Sequence, residues 1–245
     1  MKTRKFARTG TMLMLGISLF TLSLNGCTKA ETSIAPAATA DDSQTKEAIL
    51  NYSYTDSIPT ASCCMDSLPY ETLSPEETEG LIYMREEEYL AHDVYLTLSQ
   101  LYAKPIFRNI SASELRHTAA IKALLIKYNL EDPAANHVTG VFTNPTLQTL
   151  YTALVSQGST SLLNGLIVGA TIEDLDIVDL KNHLLTVDNQ DITMVFNNLM
   201  RGSRNHLRSF YANILFIGGT YTPQYLTLDE FNAIITGKHE AGPGC

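Results

Sequence analysis

Basic side chains and cysteines are both scarce in this chain. Seventeen lysines and arginines face 26 aspartates and glutamates over 245 residues. Four of the 17 basic residues and none of the 26 acidic ones fall in residues 1–26, so the remainder carries 13 against 26, a formal charge of −13. A surface of that sign repels phosphate backbones, and no DNA-binding motif is present, which excludes nucleic acid as a partner. The four cysteines are Cys27, Cys63, Cys64 and Cys245, and none stands in a Cys-x-x-Cys spacing. That removes the common thiol redox motif. Strand-like runs are missing as well. LLNGLIVGATI (residues 162–172) would pass for a strand alone, but its flanks continue a helical period.

Residues 1–26 have the form of an export signal. Lys2, Arg4, Lys5 and Arg8 precede an apolar run of about 14 residues, and Asn25-Gly26 lead into Cys27. The run is short for a membrane-spanning helix. Leu24-Asn25-Gly26-Cys27 resembles a bacterial lipobox. The resemblance implies a lipid on Cys27, attachment to a membrane through it, and a place in the cell envelope. Thr28 rather than aspartate follows, which favours the outer membrane where the organism has one. Residues 27–72, rich in Ala, Thr, Ser and Asp with scattered prolines, suit a flexible tether. Residues 73–236 are enough for one domain with a sizeable core, followed by a tail, 237–245. With Cys27 lipidated, three thiols remain, an odd count that leaves one unpaired or intermolecular. A bridge from Cys63 or Cys64 to Cys245 is one arrangement and a cysteine metal site another; adjacent cysteines seldom close a relaxed bridge with each other.

The body divides into four long segments of helical period. The first follows Ser74-Pro75-Glu76-Glu77, which offers an N-cap, a proline at the first helical position and acidic first-turn residues, and runs to Leu101. The second spans 107–128. A long connection, 131–160, holds a short helix after Asn144-Pro145. The third covers 160–185, with Gly165 and Gly169 allowing close helix approach, and the fourth 189–216. A short C-terminal helix over 227–235 begins at Thr227 with Glu230 three residues on, the form of a capping box. The expected architecture is all-α: a four-helix bundle with a long crossover bearing a short helix, and a short C-terminal helix.

Each long helix has a seam of alternating three- and four-residue spacing, apolar above and below but polar near its middle. Helix one reads Leu81, Met84, Glu88, Ala91, Tyr95, Leu98, and helix two Ile110, Glu114, His117, Ile121, Leu124, Tyr128. Helix three reads Leu166, Ala170, Glu173, Ile177, Leu180, Leu184, and helix four Ile192, Phe196, Leu199, Ser203, His206, Phe210. A buried, unpaired carboxylate is destabilising by several kcal/mol or takes up a proton. Three carboxylates and two imidazoles on converging seams therefore need a common partner, which a divalent metal or a pair of metals supplies. Oxygen and nitrogen ligands without thiolate suit iron or manganese, and zinc as well. A network with Arg116, Arg204 and Arg208 is the competing way to absorb the charge. Glu86 and Glu87 fall off the seam and read as solvated surface, Tyr95 as core with a hydrogen bond to a ligand as the alternative, and Arg201, Arg204 and Arg208 as partners of surface acids with an anion site as the alternative. His92 lies one position off the seam and is a lesser ligand candidate, His137 and His183 carry no ligand pattern, and His239-Glu240 in the tail would bind adventitious metal at most.

Glu88-x-x-Ala91-x-x-x-Tyr95 followed by Glu114-x-x-His117 resembles the first half of a rubrerythrin-type di-iron bundle of the ferritin-like superfamily. More closely, MREEEYLAHDVY, FRNISASELRHTAAIKALLIKY and RGSRNHLRSF resemble the DUF2202 family over residues 68–236. The resemblance implies a ferritin-like fold and a metal site made of Glu88, Glu114, His117, Glu173 and His206. Ser203 stands where a complete di-iron bundle has its remaining carboxylate; Asp176, three residues beyond Glu173, is the first candidate to compensate, with His92 and water as lesser substitutes. The principal expectation is a metal-binding envelope lipoprotein holding iron or manganese, with a di-metal centre as the fuller version. A di-iron oxidoreductase acting on dioxygen or peroxide, or a non-catalytic structural bundle, are the alternatives. With no rubredoxin-like cysteine motif in the chain, turnover would draw on an external electron donor. A homodimer is compatible with the pattern.

Overall fold

The computed structural model describes residues 67–242, so the expected export signal, the expected lipid attachment at Cys27, most of the expected tether and all four cysteines lie outside the described residues. Within them the chain forms six helices and no strand: α1 (Pro75–Leu101), α2 (Pro105–Lys127), α3 (Pro145–Gly158), α4 (Leu162–His183), α5 (Gln190–Phe216) and α6 (Leu228–Thr236). None of these is long and apolar enough to cross a membrane.

Local chemistry sets most helix starts. Pro75, Pro105 and Pro145 occupy first-turn positions, where a missing N–H costs nothing. The Ser74 hydroxyl accepts from the Glu77 amide at 3.1 Å, and Glu77 Oε2 accepts from the Ser74 amide at 2.8 Å. The other Glu77 oxygen accepts from the amides of Asp188 and Asn189 at 3.2 and 3.0 Å, so one buried carboxylate ties the start of α1 to the turn before α5. Burial would raise this carboxyl, but the backbone N–H groups outweigh it and hold the pKa below its usual value. Thr227 and Glu230 form the expected capping box on α6.

The three-residue link between α1 and α2 and the six-residue link between α4 and α5 make each pair antiparallel neighbours. Contacts of α1 with α4 and of α2 with α5 close the four-helix bundle, and the crossover lays α3 against α1 and α4. Gly169 lets α4 and α5 approach closely, because a Cβ there would lie 2.3 Å from the Phe210 ring.

The core is divided in two. Leu81, Met84, Ile121, Leu124, Leu180, Phe196 and Leu199 pack one end. Leu90, Val94, Leu98, Phe107, Leu166, Phe210 and Ile214 pack the other. Between them, on all four long helices at one level, lies a buried polar layer.

Candidate metal centre

Glu88, Glu114, His117, Glu173 and His206, one or two from each long helix, meet in that layer, and all are buried. Two groups of three share Glu114. Glu88, Glu114 and His117 form one, and Glu114, Glu173 and His206 the other, with donor atoms inside each group all within 4.8 Å of one another. His117 Nδ1 lies 2.7 Å from Glu114 Oε2 and 3.1 Å from Glu88 Oε2. His206 Nδ1 lies 2.8 Å from Glu114 Oε1 and 3.4 Å from Glu173 Oε2. The two oxygens of Glu114 thus face two different imidazoles, whose rings stand 5.6 Å apart with 24° between their planes.

Donors about 2.1 Å from a shared ion stand about 3.0–3.4 Å apart at tetrahedral or octahedral angles. The Glu88–His117 and Glu173–His206 separations fall in that range, whereas the two Glu114 contacts, at 2.7 and 2.8 Å, are hydrogen-bond distances that an ion in place of the proton would open slightly. Glu88 Oε1 and Asp176 Oδ1 are buried without a hydrogen-bond partner. Arginines do not absorb the charge: Arg116 reaches Ser113, and Arg204 and Arg208 pair with Glu240 of the tail at 2.9 and 2.7 Å. The competing arginine network is therefore not what the chain forms.

Without an ion the layer balances itself with protons. Burial raises Glu88 to about 7, against the pull of His117. Burial would lower both imidazoles, but Glu88 and Glu114 hold His117 well above its usual value, and Glu114 and Glu173 raise His206 to about 10. Burial would raise Glu114 too, yet the two rings hold it far below the carboxylate range. An ion that displaces these protons meets ligands already aimed at it.

The groups around the layer orient it. Tyr95 is fully buried, as expected of a core residue, and its hydroxyl also donates to Glu173 Oε1 at 2.5 Å and to the Gly169 carbonyl at 3.2 Å. Ser203 donates both to the Leu199 carbonyl and to Asp176 Oδ2, so the serine of the α5 seam holds the extra carboxylate of α4 against the layer. Gly202 leaves room for an imidazole: a Cβ there would lie 2.7 Å from His117 Nε2.

Two expectations need correction. Glu86 and Glu87 are not solvated; both are buried. Glu86 accepts from the Thr143 amide and hydroxyl and the Asn144 amide at 2.6, 2.8 and 2.9 Å, clamping the start of α3. Glu87 lies against carboxyls on α4, and burial, with Asp176 and Asp179 alongside, pushes it well above the usual range. Both are buried because the crossover and α4 cover faces of α1 that a four-seam pattern leaves outside. Among the remaining histidines, His137 lies 3.0 Å from Asp93 Oδ2 and stacks on Tyr89, and His92 faces Ser111. Asp174, on the outer side of α4, is not marked by its spacing; it accepts from Tyr221 and from three backbone amides over 224–226, fixing the approach to α6.

Fold and site together define an all-α bundle whose core is split by a buried carboxylate–imidazole layer able to hold metal ions. The chain belongs to the DUF2202 family: the family profile, described as an uncharacterized protein domain, matches residues 77–238. Uncharacterized protein MJ0754 of Methanocaldococcus jannaschii is 51% identical over 178 residues, which cover 73% of this chain and 96% of that protein. The crystal structure of hypothetical protein MJ0754 matches with a TM-score of 0.70, covering 71% of this chain and 99% of the other.

Proposed function

We propose that this protein is a metal-binding bundle of the ferritin-like kind whose buried layer would hold two divalent ions, iron or manganese, with Glu114 common to both sets of holding residues. The observation that carries the reading is that the two oxygens of Glu114 each face a separate imidazole Nδ1, at 2.7 and 2.8 Å. Glu88 and His117 complete one position and Glu173 and His206 the other, with Asp176 held beside them by Ser203. Carboxylate and imidazole donors without thiolate suit these two metals. When bound, such a pair supplies redox chemistry toward dioxygen or peroxide, with electrons from a donor outside the chain. The residues present the donor atoms, balance the charge and keep the layer dry between two apolar halves of the core. Lipid attachment at Cys27 and a cell-envelope location belong to the same proposal and rest on the signal sequence alone.

Metal analysis of protein purified from its native compartment tests the reading. About two ions per chain are expected, and neither in an E114A/H117A variant. Equal metal content in the two proteins ends it.

A further inference from the structure

Adjacent residues of α1 are buried in opposite ways. Glu86 is met by three donors, whereas neither oxygen of Glu87 meets any, although Glu87 is only 3% exposed. What lies beside Glu87 is other carboxyls: Asp179, which is half-buried, and Asp176, which is 6% exposed. Tyr83, one turn before Glu87, donates to Asp179 Oδ2 at 3.4 Å and so fixes this face of α1 against this face of α4. Asp179 is half-buried, so solvent reaches this end of the row, and Tyr83 beside it also lines a surface cleft of about 580 Å³ between α1 and the start of α3. At the other end, Asp176 has one oxygen held by Ser203 and the other, Oδ1, without a partner beside the metal layer. Carboxyls this close, with no donor reaching the middle one, are relieved by a proton or by a cation. A buried carboxylate serving only the fold would be expected to have partners, as Glu86 has.

We propose that Asp179, Glu87 and Asp176 form an entry relay that passes divalent cations from the surface at Asp179 into the metal centre. The inference rests on the metal-binding reading above. Asp179 collects the ion at the surface, Glu87 holds it in transit with both oxygens, and Asp176 hands it to the layer containing Glu88 and Glu114. Glu87 is thereby a conduit and not a ligand of the loaded centre.

Stopped-flow loading of the metal-free, full-length protein with Co²⁺, followed by its visible absorption, tests this, together with final stoichiometry and the thermal midpoint of the metal-free form. Glu87→Gln is expected to load at least tenfold more slowly and Asp179→Asn severalfold more slowly. Both should reach the wild-type cobalt content, and Glu87→Gln should not lower the thermal midpoint. Asp229→Asn, which removes an exposed charge on α6, should load like wild type. Wild-type loading rates in Glu87→Gln overturn the relay, as does a lower final cobalt content in that variant, which would make Glu87 a ligand. Slowing by Asp229→Asn to the same degree reduces the effect to net charge and overturns it too. Failure of the wild type itself to bind Co²⁺, with E114A/H117A indistinguishable from it, is a separate result that removes the metal-binding reading and the relay with it.

Discussion

The Ser203 hydroxyl on α5 donates to the Asp176 carboxylate on α4, which stands beside the layer but outside its two groups of three. On the proposed reading Ser203 acts through Asp176, as an outer partner that orients an additional ligand. Removing such a partner typically weakens metal affinity about 10–100-fold. Ser203→Ala is expected to weaken the more weakly held ion by that order, and Asp176→Asn by more, with the other ion retained. Competition titration with a chelating indicator reads both constants.

Tyr95 plays the same part for Glu173. Its hydroxyl is a buried donor at 2.5 Å, so Tyr95→Phe leaves a carboxylate without its partner. The expected loss in the metal-free protein is about 1.5–3 kcal/mol, the range for hydrogen bonds to charged groups. Urea unfolding monitored by far-UV circular dichroism measures it, and affinity for the ion beside His206 should fall in parallel.

The pH dependence has a definite sign. Glu88, raised by burial to about 7 from 4.5, stabilises the metal-free fold most when protonated, and that contribution is lost as pH rises through 7. Burial opposes the charge on His206, but Glu114 and Glu173 prevail and raise it to about 10 from 6.5; its contribution is full below 6.5 and lost as pH rises through 10. Glu114, held low, works oppositely and is lost only in strong acid. The thermal midpoint of the metal-free protein should therefore fall between about pH 5 and pH 10. Metal binding displaces the two imidazole protons and the part of a proton that Glu88 holds near neutral pH, so two or more protons per chain should be released there. Calorimetric titration in buffers of different ionisation enthalpy counts them. Release of none would mean that His117 and His206 are not ligands.

Gly202→Ala tests the packing of His117 without touching a ligand atom. A Cβ 2.7 Å from Nε2 must displace the ring or α5. Overpacking of this kind costs about 1–3 kcal/mol. The expected outcome is a folded protein that has lost the ion position of Glu88 and His117, read as a drop in metal content toward one ion per chain.

Glu86→Ala should separate structure from chemistry. It removes the acceptor of three donors at the start of α3, an expected loss of about 1–3 kcal/mol from leaving them unmet. Metal content should be unchanged.

Helices and candidate ligands were legible from short stretches of residues. Pro75, Pro145, the Ser74–Glu77 and Thr227–Glu230 boxes and the seam period are local signals, so their outcome follows from backbone chemistry over a few residues. The polar breaks in the seams named Glu88, Glu114, His117, Glu173 and His206, because a carboxylate on an apolar stripe must be met there by a cation, a donor or a proton. Long-range packing set the depth at which the seams meet, the sharing of Glu114 between two imidazoles, and the pairing of Ser203 with Asp176. It also decided that Glu86 and Glu87 are inside. A helical period reports one buried face, and α1 has more than one, because the crossover helix α3 and the facing helix α4 pack on its flanks through contacts made far along the chain.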